Sequence, residues 1–174
     1  CLDLPDKMYI RRDVELTEDQ KRVYKQMKKL ALAKLDNGEL ATTASVLTQI
    51  MRLQQICCGF LQPDEGEIEP IDNNRLKELL EITEELQGKA IIWASYTYGI
   101  QQIASALRDR FGPEAVATYY GATPQDERQD IVDRFQDPDS ELRFFVGQPL
   151  TGGYGITLTA ANTVIYYNNS YDLA

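Results

Sequence analysis

The stretch Lys89-Ala90-Ile91-Ile92-Trp93-Ala94-Ser95-Tyr96 decides the fold. Its short apolar run follows Gln87-Gly88 and gives way to small polar residues, with no apolar/polar alternation inside it. Such a run reads as a strand buried on both faces, the form strands take in a parallel sheet. Three more runs follow: Val116-Ala117-Thr118-Tyr119, Leu142-Arg143-Phe144-Phe145-Val146 and Thr163-Val164-Ile165-Tyr166-Tyr167. Between the first pair, Ile100, Ile103, Ala104 and Leu107 recur at helical spacing and stop near Phe111-Gly112-Pro113. Between the second pair, Thr123 is the expected N-cap and Pro124 the first helical residue of a helix with Ile131, Val132 and Phe135 inward. A glycine-rich stretch, Gly147 to Ala161, joins the last two. The β-α-β-α-β-loop-β order predicts an α/β fold, an open parallel sheet flanked by helices.

Upstream of Lys89 the periodicity is helical only. Thr17 and Gln20 have the spacing of a capping box, and Val23, Met27, Leu30 and Ala31 form the expected inward stripe of a helix stopped by Asn37-Gly38. Val46, Ile50, Leu53 and Cys57 mark a second helix, and Gly59 to Gly66 a polar break. Leu76, Leu79, Leu80 and Leu86 mark a third helix, from about Asn74 to Leu86. The expected division is therefore a helical extension over 1–87 and an α/β core over 88–174.

Composition narrows the chemistry. Of 174 residues, 43% are hydrophobic, enough for a core, and 26% are charged. No apolar run is long enough to span a bilayer as a helix, and no segment has the order of a signal peptide. Histidine is absent, which excludes Ser-His and Cys-His pairs and imidazole metal sites. Cys1, Cys57 and Cys58 read as reduced thiols and point to an intracellular protein, cytoplasmic or nuclear according to source. The net charge is −9, but unevenly placed: Cys1 to Lys34 carries +3 and the remainder −12. The densest acidic runs, Asp64 to Glu69 and Glu78 to Glu85, read as solvated surface. Because the chain begins at Cys1 rather than Met, a segment of a longer polypeptide is expected.

In open parallel sheets ligands bind beyond the carboxyl ends of the strands. The segments there are Ser95-Tyr96-Thr97, Gly121-Ala122-Thr123, Gly147 to Thr157, and Asn168-Asn169-Ser170-Tyr171. Gly152, Gly153 and Gly155 would let backbone N–H groups approach a phosphate, or would equally build a tight bulged loop feeding the last strand. No G-x-x-x-x-G-K-[ST] string is present. Gly88-Lys89-Ala90, the nearest, precedes a strand and lacks the hydroxyl. A self-sufficient NTPase is not expected.

Taken in order, these segments resemble the second RecA-like lobe of superfamily-two helicases of the Swi/Snf type. Lys89 to Tyr96 resembles motif IV of that family, and Tyr120-Gly121-Ala122-Thr123 with Arg128 and Phe135 resembles its G-x-T…R…F segment. Thr151-Gly152-Gly153-Tyr154-Gly155-Ile156-Thr157-Leu158-Thr159-Ala160-Ala161-Asn162 is similar to motif V. Leu4-Pro5, Leu16-Thr17, Gln20, Tyr24 and Leu53 to Cys58 resemble the linker between lobes. Thr157 stands where the family usually has Asn, Pro149 where it often has a hydroxyl residue, and Asn168, Tyr171 and Asp172 replace its D-x-x-W-N. Ala174 precedes the place of motif VI with its arginine finger.

The resemblance implies a three-layer RecA-like lobe of the P-loop NTPase type, half of an ATP-dependent DNA helicase or translocase, inactive alone and holding no catalytic residue or metal ligand. ATP with Mg2+ would be bound mainly by the first RecA-like lobe of the same polypeptide. Gly153, Gly155 and Thr157 would face the nucleotide. Ser95, Tyr96, Gly121, Thr123, Arg128, Thr151 and Gly152 would contact double-stranded DNA or support that contact. The same residues also fit a nonenzymatic interaction module on this fold, or a Rossmann-type transferase with a nucleotide cofactor at the Gly152 loop. Thr123 as a plain helix cap, Arg128 as an ion-paired surface residue, Tyr96, Tyr119 and Tyr120 as packing aromatics, and Trp93 as core complete the expectations.

Overall fold

The computed structural model describes residues 6–38, 42–152 and 155–169. Compactness divides the chain into two units, Cys1–Asn74 and Arg75–Ala174. In the first, α1 (Glu18–Asp36) opens on the expected capping box: the Gln20 N–H donates to Thr17 Oγ1 at 3.2 Å, and the Thr17 N–H to Gln20 Oε1 at 3.0 Å. Gln20 is 1% exposed, and its Nε2 also donates to the carbonyls of Ile56 (2.8 Å) and Cys57 (3.3 Å). Those carbonyls close α2 (Thr43–Cys57), where a helix leaves acceptors without intrahelical partners. One buried amide thus joins the start of α1 to the end of α2.

That anchor turns α1. With Gln20 inward, the inward line runs through half-buried Val23 and Met27 to buried Ala31, and Leu30, one residue or about 100° from Ala31, falls on the flank. Leu30 was expected inward and is 49% exposed. The polar break after α2 holds an antiparallel hairpin that the sequence pattern hides, β1 (Phe60–Leu61) with β2 (Glu69–Pro70), because each strand is only two residues long. Cys58 is buried and Cys57 half-buried.

The second unit runs α3 (Asn74–Glu85), β3 (Lys89–Trp93), α4 (Thr97–Phe111), a 3-10 turn, β4 (Val116–Tyr119), α5 (Glu127–Gln136), β5 (Phe144–Gly147), α6 (Pro149–Gly152) and β6 (Ala161–Tyr166). The four strands form one parallel sheet in the order β4-β5-β3-β6. Its two faces follow strand alternation. Ala90, Ile92, Phe144 and Val146 pack with Ile100, Ile103, Ala104 and Leu107 of α4 and Leu79 of α3. Ile91, Ala117, Tyr119 and Phe145 pack with Ile131, Val132 and Phe135 of α5. Burying each large apolar side chain contributes about 1.5–3 kcal/mol, so both helical layers are held by several such terms. The sheet with helices on both faces is the expected α/β architecture.

Arg143 closes the amino-terminal edge. Its guanidinium lies 5.4 Å from the Phe111 ring centroid and 5.0 Å from that of Phe144, and it donates to the carbonyls of Leu86 and Gly88 beyond α3. The edge strand β6 is half-covered: Val164 is 48% and Tyr166 65% exposed, while Ile165 packs inward. Two local expectations change. Thr123 is not an N-cap, because its hydroxyl closes the turn that precedes α5, and that helix begins at Glu127 behind Asp126. Trp93 is half-buried rather than core, because it ends β3 and rests edge-on against Phe145 with centroids 6.0 Å apart.

Candidate functional site

The connection from β3 runs past β5 to β4 and that from β5 runs past β3 to β6, on opposite faces of the sheet, so the direction of the connections reverses between β5 and β3. In open α/β sheets such a switch point marks the crevice beyond the carboxyl ends where ligands bind. A row of hydrogen bonds crosses it in the order of the strands. The Gln148 N–H donates to the Tyr119 carbonyl at 3.0 Å, joining β5 to β4. Gln148 Nε2 donates to the Ser95 carbonyl at 3.1 Å, joining β5 to β3. The Ser95 N–H donates to Asn168 Oδ1 at 3.0 Å, joining β3 to β6. Asn168 is 8% exposed, and its Nδ2, like Ser95 Oγ, is buried with no hydrogen-bond partner among the described residues. Its carbonyl oxygen is committed to a backbone donor, which fixes the amide's orientation.

Gly147 makes the close approach of these ends possible. A Cβ there would lie 2.8 Å from Trp93 Cζ3, 3.0 Å from Phe145 Cε1 and 3.1 Å from the Tyr119 carbonyl oxygen. Gln148 and Asn168 escape sequence reading. Their residue types are common in loops, and the only signal was position, directly after a strand.

Beyond β4, Thr123 is 8% exposed, and its Oγ1 accepts from the Tyr120 N–H at 3.0 Å and donates to the Thr118 carbonyl at 3.2 Å. Arg128 holds the same turn: Nε donates to the Thr123 carbonyl at 3.2 Å, Nη2 to that of Tyr120 at 3.4 Å, and the guanidinium lies 5.4 Å from the Tyr119 centroid. Gly121, at the tip, is exposed, and no atom lies within 4 Å of where its Cβ would stand. The turn is a rigid platform with an open glycine edge.

After β5, Thr151 starts from the Gln148 carbonyl (N–H to O 3.1 Å) within α6, which ends at Gly152. Gly153 and Tyr154 lie outside the described residues, as do Ser170, Tyr171 and Asp172. Gly155 has φ +82°, a conformation natural to glycine, and open space around it. Thr157 is exposed and, with Trp93, Pro149, Ile156 and Tyr166, lines an open depression of about 580 Å³ on the α5 side of the sheet. The loop is pinned beneath by Gln136, which accepts from the Ala160 N–H and donates to Thr159 Oγ1, both at 2.9 Å. Ser95, Tyr96, Thr123 and Thr151 thus gather along the carboxyl ends, whereas Thr157 stands on the wall of the depression.

Elsewhere in the chain, hydrogen bonds from Lys21 and Arg52 hold Glu18 and Asp64 below the usual carboxylate range, and burial lowers the proton affinity of Lys89. Among the described residues no group of three or more Cys, Asp or Glu is placed to hold a metal ion. Among the described residues the edge offers amides, hydroxyls and two guanidinium groups, Arg128 beyond β4 and Arg75, whose Nη1 donates to the Tyr167 carbonyl at 3.0 Å beyond β6, groups able to hold anions.

The helicase conserved C-terminal domain family matches residues 72–174. The putative ATP-dependent helicase/translocase YwqA of Bacillus subtilis is 27% identical over 181 residues, covering 100% of this chain and 19% of its own length. The SWI/SNF chromatin-remodeling complex subunit snf22 of Schizosaccharomyces pombe is 27% identical over 184 residues, covering 98% of this chain and 11% of its own. The Sulfolobus solfataricus SWI2/SNF2 ATPase core in complex with dsDNA is similar with TM-score 0.72 and 25% identity, over 89% of this chain and 33% of that one. The C-terminal domain of the same archaeon's SWI2/SNF2 ATPase shares the fold, with TM-score 0.71 and 24% identity, over 89% of this chain and 69% of that one. The chain spans a fifth or less of these two curated relatives.

Proposed function

The chain belongs to the helicase conserved C-terminal domain family, and from that premise we propose that it is the second motor lobe of a Swi/Snf-type ATP-dependent DNA translocase. The arrangement that carries the reading is the strand-end edge: four carboxyl ends tied together by Gln148, Ser95 and Asn168, with glycine-rich loops on either side. A motor lobe needs a rigid plate that moves as one body when nucleotide closes the cleft. A hydrogen-bonded row across all four strands is such a plate.

In this reading residues 1–87 are the linker and 88–174 the working lobe. Gly153, Gly155 and Thr157 face the nucleotide, while Ser95, Tyr96, Gly121, Thr151 and Gly152 meet the phosphates of double-stranded DNA. Thr123 and Arg128 act by holding the Gly121 turn, since Thr123 Oγ1 is spent on an N–H and a carbonyl and Arg128 Nε and Nη2 on backbone carbonyls. ATP is the substrate, and its Mg2+ takes its ligands from the first RecA-like lobe. The residues here fit one wall of that cleft only: they supply amide and hydroxyl donors but no lysine or paired carboxylates.

The test is ATP hydrolysis by a chain carrying both lobes. Gly155→Asp places a carboxylate beside the triphosphate and forces an unfavourable φ, so DNA-stimulated turnover is lost while the circular dichroism spectrum is unchanged. Retained turnover removes this loop from the nucleotide site.

A further inference from the structure

We propose that the outward face of α1, built on Lys21, Arg22, Lys25, Lys28 and Lys29, is a contact surface for the phosphate backbone of duplex DNA, separate from the strand-end loops. From Gln20 to Leu35 the helix carries six cations and no acid, within a chain of net charge −9. At 100° per residue, the five named side chains fall within an arc of about 120°, opposite the buried pair Gln20 and Ala31. Lys21 and Arg22 are paired at the helix start with Glu18 (2.7 Å) and Asp19 (3.2 Å). Lys25, Lys28 and Lys29 are exposed, and among the described residues none of them forms an ion pair or hydrogen bond. They sit at i, i+3 and i+4, neighbours on one face.

Three adjacent ammonium groups without ion-pair partners repel one another, with the Glu18 carboxylate acting on Lys25 through space, and a folded acidic protein has carboxylates to spare for neutralising them. Their segregation is what a polyanion would use. The face from Lys21 to Lys29 is about 12 Å long, and one strand of B-DNA presents a phosphate about every 3.4 Å of axis, so three to four phosphates fit along it. An anionic membrane fits less well. Leu32 and Leu35, 51% and 44% exposed, lie about 60° apart, within and beside the cationic arc, and Leu30, 49% exposed, lies about 140° or more from either, so the exposed leucines form no single broad apolar face to insert beside the cations.

The partner is taken from the proposed function, but the site is not, and the experiment separates the two. Fluorescence anisotropy of a labelled 20-base-pair duplex with the 174-residue chain is recorded from 20 to 200 mM salt. The comparison is between the unaltered chain, Lys25→Gln/Lys28→Gln/Lys29→Gln, and a triple of equal charge on the other unit, Lys77→Gln/Arg108→Gln/Arg110→Gln. The α1 triple is expected to bind about tenfold or more weakly at low salt and to lower the slope of log affinity against log salt by about 2 to 3. The control triple changes neither by more than about twofold. Equal effects of the two triples overturn the proposal in favour of net charge. No duplex binding by the unaltered chain at 20 mM salt also overturns it, and leaves the strand-end reading to be judged by hydrolysis in the two-lobe chain. Loss of binding to phosphatidylserine-containing vesicles by the α1 triple, with duplex affinity unchanged, overturns it in favour of a membrane.

Discussion

Replacing Gly147 by Ala sets one methyl group against three fixed neighbours. The new Cβ would stand 2.8 Å from Trp93 Cζ3, 3.0 Å from Phe145 Cε1 and 3.1 Å from the Tyr119 carbonyl oxygen. The carbonyl cannot retreat, because it accepts the Gln148 N–H at 3.0 Å in the row that joins β4 to β5. Phe145 is fully buried between Tyr119, Trp93 and Phe135. Only Trp93, half-buried at the strand end, has room to yield, and it must do so toward the open depression. Overpacking of this kind costs about 1–3 kcal/mol. Trp93 is the only tryptophan, so its fluorescence reports the second unit alone. With a urea slope of about 2 kcal/mol per molar, the unfolding midpoint falls by roughly 0.5–1.5 M, and the native emission shifts as the ring becomes more exposed. An unchanged midpoint together with an unchanged native spectrum refutes the argument that only glycine fits where the strand ends converge.

The turn beyond β4 gives a second check. Thr123→Val strips the hydroxyl from a buried site and leaves the Tyr120 N–H and Thr118 carbonyl without their partner, costing about 1–3 kcal/mol, while Thr123→Ser restores most of it; thermal melts separate the two. At the other edge, Asn168→Ala removes the acceptor for the Ser95 N–H and costs about 1–3 kcal/mol, whereas Asn168→Asp keeps that acceptor; equal midpoints for Ala and Asp in urea would show that the bond contributes nothing. On α1, Gln20→Ala deletes one buried side chain that serves Thr17, Ile56 and Cys57 together, and a loss of about 2 kcal/mol or more is expected in hydrogen-exchange protection of α2's last turn.

The sheet was legible because its four strands are continuous apolar runs, a pattern that only burial on both faces rewards; β4 runs over Val116–Tyr119 as read, and the others differ by one or two residues at their ends. The capping box at Thr17 was legible for a similar reason, since both partners are local. What escaped depends on distance in sequence. Gln20 reaches Ile56, Ser95 meets Asn168, and Gln148 meets Ser95, and nothing in the spacing of these residues announces the pairs. Thr123 closes a turn where a helix cap is expected, because a hydroxyl before a Pro has two uses, capping a helix or closing the preceding turn, and only the path of the chain chooses between them. The segments that form the site were found from strand order alone, while the side chains that rigidify it were not.

On the proposed function, this edge is one half of a motor and does no chemistry alone. ATP hydrolysis, measured with and without duplex DNA, tests it in two proteins: residues 1–174, and a chain extended to include both lobes. No DNA-stimulated hydrolysis is expected from residues 1–174, and clear stimulation from the two-lobe chain. DNA-stimulated turnover by residues 1–174 alone would contradict it.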